Sequence, residues 1–390
     1  MNVIMTEEQA AFVETARRFA KEKLAPNYQL LDKQEHIDRA LIQEMGAMGF
    51  IGPDMPEEYG GLGSSGVTAG LIAETIAHGD FNVSWLCLLG PLMGNIVLHH
   101  AQAPLRDEWL PKMIRGEAVI ALGLTEPRGG SDAANLQIKA ERTADGYVLN
   151  GEKTSISFAT QADAVVLFAR TGKPDEGARG ITAFFVPLDL PGVSRTRFSD
   201  VGNHVIGRGS LFFDNVRISE NHRLGNEGKG FVQVMQGFDF SRVLIALQCI
   251  GAAQASLDET WEYTKERQAF GAPIAQYQGV SFPLAEAETL LAGARQLCYH
   301  ALALRDQGLP HTAEAAMCKW WGPKLAYEVI HQCLLTHGHY GYTTDLPHQQ
   351  RMRDVLGLQI GDGTAQIMKL IIAREKAGRV AVQYDKGGKK

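Results

Sequence analysis

The spacing of apolar positions changes twice along the chain. Over residues 1 to about 118, apolar side chains recur at helical intervals. Phe12, Ala16 and Phe19 share a face, and Thr6 to Gln9 has the spacing of a capping box that opens this helix. Pro26 is expected to end it. Ile37, Leu41, Met45 and Met48 form a second stripe, with Gly49 as its stop. After the glycine-rich run 60–63 come two apolar helices near 67–78 and 81–100, and Pro104 begins another that closes near Gly116. From about 119 to 228 the runs are β-prone. Asp145-Gly146 and Asn150-Gly151 read as hairpin turns, and further strands are expected at 164–169, 181–186, 193–198 and 211–218 in a compact antiparallel region. From 229 onward helical spacing returns in long segments, 231–265, 276–306, 312–335 and 362–380, which suggests a four-helix bundle. The last residues, 386–390, are expected to be disordered. The fold class expected is multidomain α+β: a helical domain at 1–118, an antiparallel β domain at 119–228 and a helical bundle at 229–390.

Composition agrees with that division. The 390 residues imply two or three domains. With 38 basic and 44 acidic side chains the net charge is −6, which argues against a nucleic-acid-coating surface. No apolar run reaches the ~18–20 residues of a membrane span, and the N-terminus lacks the basic-then-apolar order of a signal peptide, so no membrane insertion is expected. The five cysteines are scattered without a C-x-x-C pair, as expected of reduced thiols in a cytoplasmic protein. Glycine is the outlier: 42 of 390 residues, roughly 11% against a usual ~7%. Those glycines should mark turns or places where backbone approaches a ligand.

The chain has no Walker motif, no H-E-x-x-H and no G-x-S-x-G. Gly225 to Gly230 lies at the β-to-α junction and reads as a linker. His331, His337, His339 and His348 fit no helical metal-ligand pair, so no metal is expected. Two segments are chemically busy. Thr125-Glu126-Pro127-Arg128-Gly129-Gly130-Ser131-Asp132 is a polar turn after an apolar strand; it is either an ordinary loop or one that presents N–H groups to a ligand. Gly361-Asp362-Gly363-Thr364 begins a helix. Its aspartate is either an N-cap or a carboxylate base on backbone that a ligand can approach.

These segments, in this α–β–α order, resemble the acyl-CoA dehydrogenase family of flavoproteins. The resemblance covers nearly the whole chain. It rests on Leu124 to Pro127 with Gly130-Ser131-Asp132, Asn150 to Lys153, Gly228 to Phe231, Phe238-Asp239 with Arg242, Glu266-Arg267 to Phe270-Gly271, Met352-Arg353-Asp354, and Gly361 to Thr364 with Ala373-Arg374-Glu375. It implies FAD as cofactor, an acyl-CoA substrate, an electron-transfer flavoprotein as electron acceptor, and a homo-oligomer, usually a tetramer. Leu124 and Thr125 would hold the flavin ring, Ser131 would lie beside both FAD and thioester, and Ser157 would stand near flavin N5. Ser155 takes the place of the family's flavin-covering tryptophan. Arg267 and Phe270 would reach the FAD of a neighbouring subunit. Leu335, Gly338 and His339 replace a glutamine- and glycine-rich FAD contact, and Thr364 and Gln366 would meet the adenosine side. Phe238, Asp239 and Arg242 would line the CoA channel, where a basic residue suits the phosphates.

By the same resemblance Asp362 is the catalytic base. The family reaction takes a proton from Cα and a hydride from Cβ, with the thioester oxygen held by donors that strengthen as enolate charge develops. One of those donors is the backbone N–H of the base residue. Gly363 would line the substrate. Most relatives carry Glu at this position; Asp retracts the carboxylate by roughly 1.3 Å. The alternative family base position falls on Ser241, which cannot serve. A retracted base suits a crowded α-carbon, so a saturated alicyclic substrate such as cyclohexane-1-carboxyl-CoA, giving cyclohex-1-ene-1-carboxyl-CoA, is expected. A short or branched acyl-CoA is the alternative, and a catalytically silent acyl-CoA-binding protein is the alternative of another class. The run Trp85 to Leu92 carries no acid, so a simple 1,2-elimination is favoured over diene formation.

Overall fold

Thr6 opens the first helix as its spacing requires: its hydroxyl accepts the Gln9 N–H at 3.2 Å and the Gln9 side chain accepts the Thr6 N–H at 3.1 Å. The computed structural model describes residues 5–382, so the expected disorder of 386–390 lies outside the described residues. The helices are α1 (Glu7–Phe19), α2 (Tyr28–Gln34), α3 (Arg39–Ala47), α4 (Gly66–Gly79), α5 (Trp85–His100), α6 (Ala103–Ile114), α7 (Gly230–Glu266), α8 (Gln278–Asp306), α9 (Thr312–Thr336), α10 (His348–Leu356) and α11 (Ala365–Ala377). The strands are β1 (Ile120–Gly123), β2 (Lys139–Arg142), β3 (Gly146–Ile156), β4 (Ala164–Arg170), β5 (Ile181–Pro187), β6 (Val193–Arg197), β7 (Gly209–Ser219), β8 (Arg223–Leu224), β9 (Gln268–Ala269) and β10 (Ala272–Pro273). The order is helical, then β, then helical.

Packing groups these elements into two units. A helical unit comprises the chain up to residue 29, residues 66–84 and the chain from residue 239; a sheet unit comprises 30–65 and 85–238. The N-terminal helices are therefore shared out between the two.

In the sheet unit the strand order is β6-β7-β3-β2-β4-β5-β8, with β1 also paired to β4. Asp145-Gly146 makes the β2–β3 hairpin. Two expectations are corrected here. Asn150-Gly151 is not a turn: it lies inside β3 at a register shift, where Gly151 has φ +142° and a Cβ would press on Ile138. The sheet is mixed rather than antiparallel, because β1 and β2 both run parallel to β4. Every residue of β4 is buried, as expected of a strand covered on both faces.

In the helical unit α1 does not end at Pro26. Its α geometry stops at Phe19, and a π turn (Ala20–Leu24) and a 3-10 turn (Ala25–Asn27) carry the backbone on into α2. Pro26 is tolerated because it sits in the first turn of the 3-10 segment, where an N–H has no helical acceptor. The expected long helices appear as α7, α8, α9 and α11, and α10 is an additional short one. The apolar window of α7 has mean hydropathy 1.3 and is 94% buried, so α7 is a core helix. Asp354 on α10 accepts the Tyr28 hydroxyl at 2.6 Å and the Asn82 amide at 2.9 Å, fastening α10 to two N-terminal segments of the same unit. Arg351 makes a bidentate pair with Glu259 on α7 at 2.7 and 2.8 Å. All five cysteines are free, buried thiols.

Candidate active site

In the sheet unit one candidate loop is held from behind. β1 runs into Leu124 and Thr125, and the Thr125 carbonyl accepts the Thr154 N–H at 2.9 Å. Glu126 turns inward, 7% exposed. Its carboxylate accepts the N–H groups of Gln137 (2.5 Å) and Ile138 (3.0 Å) and the Lys153 ammonium (2.8 Å). Lys153, on β3, also donates to the Leu124 carbonyl at 2.9 Å. Desolvation pushes the Lys153 ammonium down to about 8, with Glu126 pulling it back up. The backbone on both sides of Thr125 is thereby fixed, while Thr125 itself stays half-exposed. Among the described residues the side chains of Thr125, Ser131, Ser155 and Ser157 take no protein hydrogen bond, although the loop around them is satisfied. Free hydroxyls on a rigid frame are a donor and acceptor set that fits a heterocycle. Ser155 stands where β3 shifts register, with φ +58° and its side chain exposed. Phe238, at the end of this unit on α7, is buried, and so is the acid-free run Cys87 to Leu89 on α5.

The helical unit has a candidate loop of its own. α10 passes through a 3-10 turn (Gly357–Gln359) into residues 360–364, and α11 begins at Ala365. Thr364, not Asp362, is the N-cap: its hydroxyl accepts the Ile367 N–H at 3.3 Å. That removes the capping reading of Asp362. Asp362 is in the left-handed region with φ +54°, which a short polar side chain tolerates better than most, and Gly363 follows with φ +96°. Among the described residues no protein group accepts the Asp362 N–H.

Lys319 lies beneath this loop. It is 1% exposed, and its ammonium donates to the carbonyls of Leu358 (2.6 Å), Gly361 (2.5 Å) and Gly363 (2.7 Å). Gly322, one turn on along α9, lets that helix press against α7: a Cβ there would come within 2.7 Å of the Ala246 Cβ. Arg242 lies one turn before Ala246 and is bound by Asp239 at 2.8 Å, whose other oxygen accepts the Thr312 hydroxyl at 2.6 Å. Burial raises the Asp362 carboxyl above its ordinary range, and the charges of Lys319 and then Arg242 pull it back. The carboxylate sits deep among protein atoms yet keeps a solvent-accessible face. Desolvation likewise pushes Lys319 down to about 8.

Other expected residues of this unit lie at its surface. Phe270 and Gly271, with φ +52° and +83°, form the two-residue turn of the β9–β10 hairpin, and Phe270 is 98% exposed. Arg267 and Gln366 are exposed. Leu335, Gly338 and His339 are exposed at the end of α9, where the rings of His339 and Tyr340 lie 4.0 Å apart. Two features were missed in the sequence. The Glu126–Lys153 pair could have been suspected from charges bracketing two apolar strands. Lys319 could have been suspected because it falls on the buried stripe Ala315, Ala316, Gly322, Pro323 and Ala326.

Three family models, described as the N-terminal, middle and C-terminal domains of acyl-CoA dehydrogenase, match residues 6–117, 121–216 and 228–377. The chain is 34% identical to a probable acyl-CoA dehydrogenase, YngJ, of Bacillus subtilis over 96% of this chain and 99% of that one. It is similar to the structure of butyryl-CoA dehydrogenase from Megasphaera elsdenii, with a TM-score of 0.93, 32% identity, and coverage of 97% of this chain and 100% of that one. It is also similar to a glutaryl-CoA dehydrogenase from Mycobacterium smegmatis in complex with FADH2, with a TM-score of 0.91, 25% identity and 96% of each chain covered. The chain belongs to the acyl-CoA dehydrogenase family.

Proposed function

We propose that this FAD-dependent oxidoreductase dehydrogenates a saturated acyl-CoA thioester between Cα and Cβ, with Asp362 as the base. The observation that carries this reading is the Asp362 loop. A carboxylate with a raised pKa stands on a loop clamped from below, with its own N–H unengaged and two cations near enough to stabilise its charge. A base needs the first of these properties, and an enolate oxygen needs a fixed N–H donor. FAD, when bound, supplies the hydride acceptor for Cβ. Thr125, Ser131 and Ser157 would hold its ring portion and Thr364 and Gln366 would meet its adenosine side, while Arg267 would reach the pyrophosphate of a neighbouring subunit's FAD. Phe238, Asp239, Arg242 and Gly363 would meet the thioester chain.

The substrate we infer is a compact acyl group crowded at Cα. Aspartate reaches less far than glutamate, and Gly361 adds no side chain beside it. Cyclohexane-1-carboxyl-CoA represents the ring-bearing class and isobutyryl-CoA the branched class, beside the short straight chain that the Megasphaera relative's name specifies. An electron-transfer flavoprotein is the acceptor in this reading. The oligomer is a homotetramer in the cytoplasm, with the exposed Phe270 turn and Arg267 offered to a neighbouring subunit.

Two measurements test the proposal. Asp362→Asn should retain FAD, read as flavin absorbance after gel filtration, while turnover falls by about 10²–10⁴-fold; normal turnover would remove Asp362 as the base. Anaerobic mixing with straight, branched and cyclic acyl-CoAs should bleach the flavin fastest with the α-crowded substrates. Preference for straight chains would remove the crowding argument and leave the base intact.

A further inference from the structure

The Asp362 loop is held from beneath by a buried lysine, 1% exposed. Lys319 donates to three carbonyls that bracket Asp362, at 2.6, 2.5 and 2.7 Å. The middle one, from Gly361, shares a peptide unit with the Asp362 N–H. In a trans peptide the C=O and N–H point in opposite directions, so fixing one fixes the other. An ammonium on the oxygen also draws electron density from the peptide and strengthens the N–H as a donor. Glycines on both sides of Asp362 make this peptide free to rotate otherwise.

We propose that Lys319 is a positioning residue for α-proton removal: by holding the Gly361 carbonyl it aims and polarises the Asp362 N–H toward the thioester oxygen. This rests on Asp362 being the base. Beside Lys319 on α9, Gly322 admits the close approach of α7.

The test isolates the proton step. In 3-thiabutyryl-CoA sulfur replaces Cβ, so the analogue has no hydride to give. Asp362 can still take its α-proton: the C–H electron pair moves into the enolate, the carboxylate becomes a carboxylic acid, and reversal in D2O returns a deuteron. With FAD-loaded protein, deuterium uptake is followed by mass spectrometry and analogue affinity by titration. Lys319→Met should slow uptake about 30-fold or more, with Kd changed less than threefold and FAD content unchanged, because enolate formation needs the aimed N–H more than ground-state binding does. Lys319→Gln keeps an N–H₂ one atom shorter and should recover part of the rate; where the Met variant folds poorly, the Gln variant decides by the same two readings. Uptake at the wild-type rate, or a loss of uptake matched by an equal loss of affinity, would overturn the proposal. Asp362→Asn run in parallel separates the two claims. If it abolishes uptake while Lys319→Met does not slow it, the base stands and the positioning role falls. If Asp362→Asn exchanges normally, the base reading itself fails.

Discussion

Lys153 in the sheet unit and Lys319 in the helical unit are both buried, and both have their ammonium pushed down to about 8 by desolvation. Their partners differ. Among the described residues Lys153 meets a carboxylate, Glu126, and one carbonyl, whereas Lys319 meets three carbonyls and no carboxylate at bonding distance. In the first case the charge is cancelled where it stands, so the Thr125 loop presents neutral hydroxyls and backbone. In the second the charge is solvated by dipoles but not cancelled, and its field reaches Asp362. Removing one member of a cancelled pair strands a buried charge. Removing a dipole-solvated cation leaves carbonyls that water can reach wherever the loop is open. The same side chain therefore serves architecture in one unit and chemistry in the other.

The largest effect on stability should come from Glu126→Gln. It leaves Lys153 charged and unpaired, at a cost of about 3–5 kcal/mol at pH 7, read as a shift in the urea midpoint of the FAD-loaded protein. Without Glu126 the Lys153 ammonium falls below about 8, so at pH 9 it is neutral in both proteins and the difference should shrink. An equal loss at pH 7 and pH 9 would assign the cost to the Gln137 and Ile138 hydrogen bonds instead and break the contrast.

Lys319→Met should cost less, about 1–3 kcal/mol for the carbonyls it leaves. Its pH dependence carries more information. For a lysine lowered from 10.5 to about 8, the folded state bears the full penalty of a buried charge below pH 8. Between about 8 and 10.5 the folded form has released a proton that the unfolded form still holds. Wild-type stability then rises by up to about 1.4 kcal/mol per pH unit from this group, and above 10.5 the penalty is gone. The variant lacks that rise, so its deficit should widen from pH 8 to pH 9.5. A constant deficit would mean that Lys319 stays charged across this range.

What could be read beforehand follows from the range of the interactions. The Thr6–Gln9 cap and the Asp145-Gly146 turn are set by neighbouring residues, and both formed as their spacing required. The family motifs marked Asp362 and the Thr125 loop. Pro26 misled because a 3-10 turn accommodated it, and Asn150-Gly151 misled because the same dipeptide suits a bulge as well as a turn. The parallel pairing of β1 with β4 joins segments more than forty residues apart, and no local pattern encodes it. Lys319 is the hardest case. A helical lysine is ordinarily a solvated one, and its three acceptors lie 39, 42 and 44 residues away as backbone carbonyls, which leave no mark in the side-chain pattern.

The smallest expected stability change belongs to the residue with the largest functional one. Asp362 makes no hydrogen bond with its side chain among the described residues, and its carboxyl is raised by desolvation, so its charge is a cost that Lys319 and Arg242 only partly offset. Asp362→Asn removes that charge, keeps the volume, and places at φ +54° a residue type at ease in the left-handed region. The urea midpoint should therefore move by less than the equivalent of about 0.5 kcal/mol. A carboxyl whose folded pKa is raised destabilises the fold once pH exceeds its unfolded value, so the variant should gain slightly on wild type as pH rises from 4 to 7. A loss of 2 kcal/mol or more at pH 7 would show Asp362 to be paired as Glu126 is, and the distinction between the two buried lysines would fall, because Lys319 would have a carboxylate partner after all.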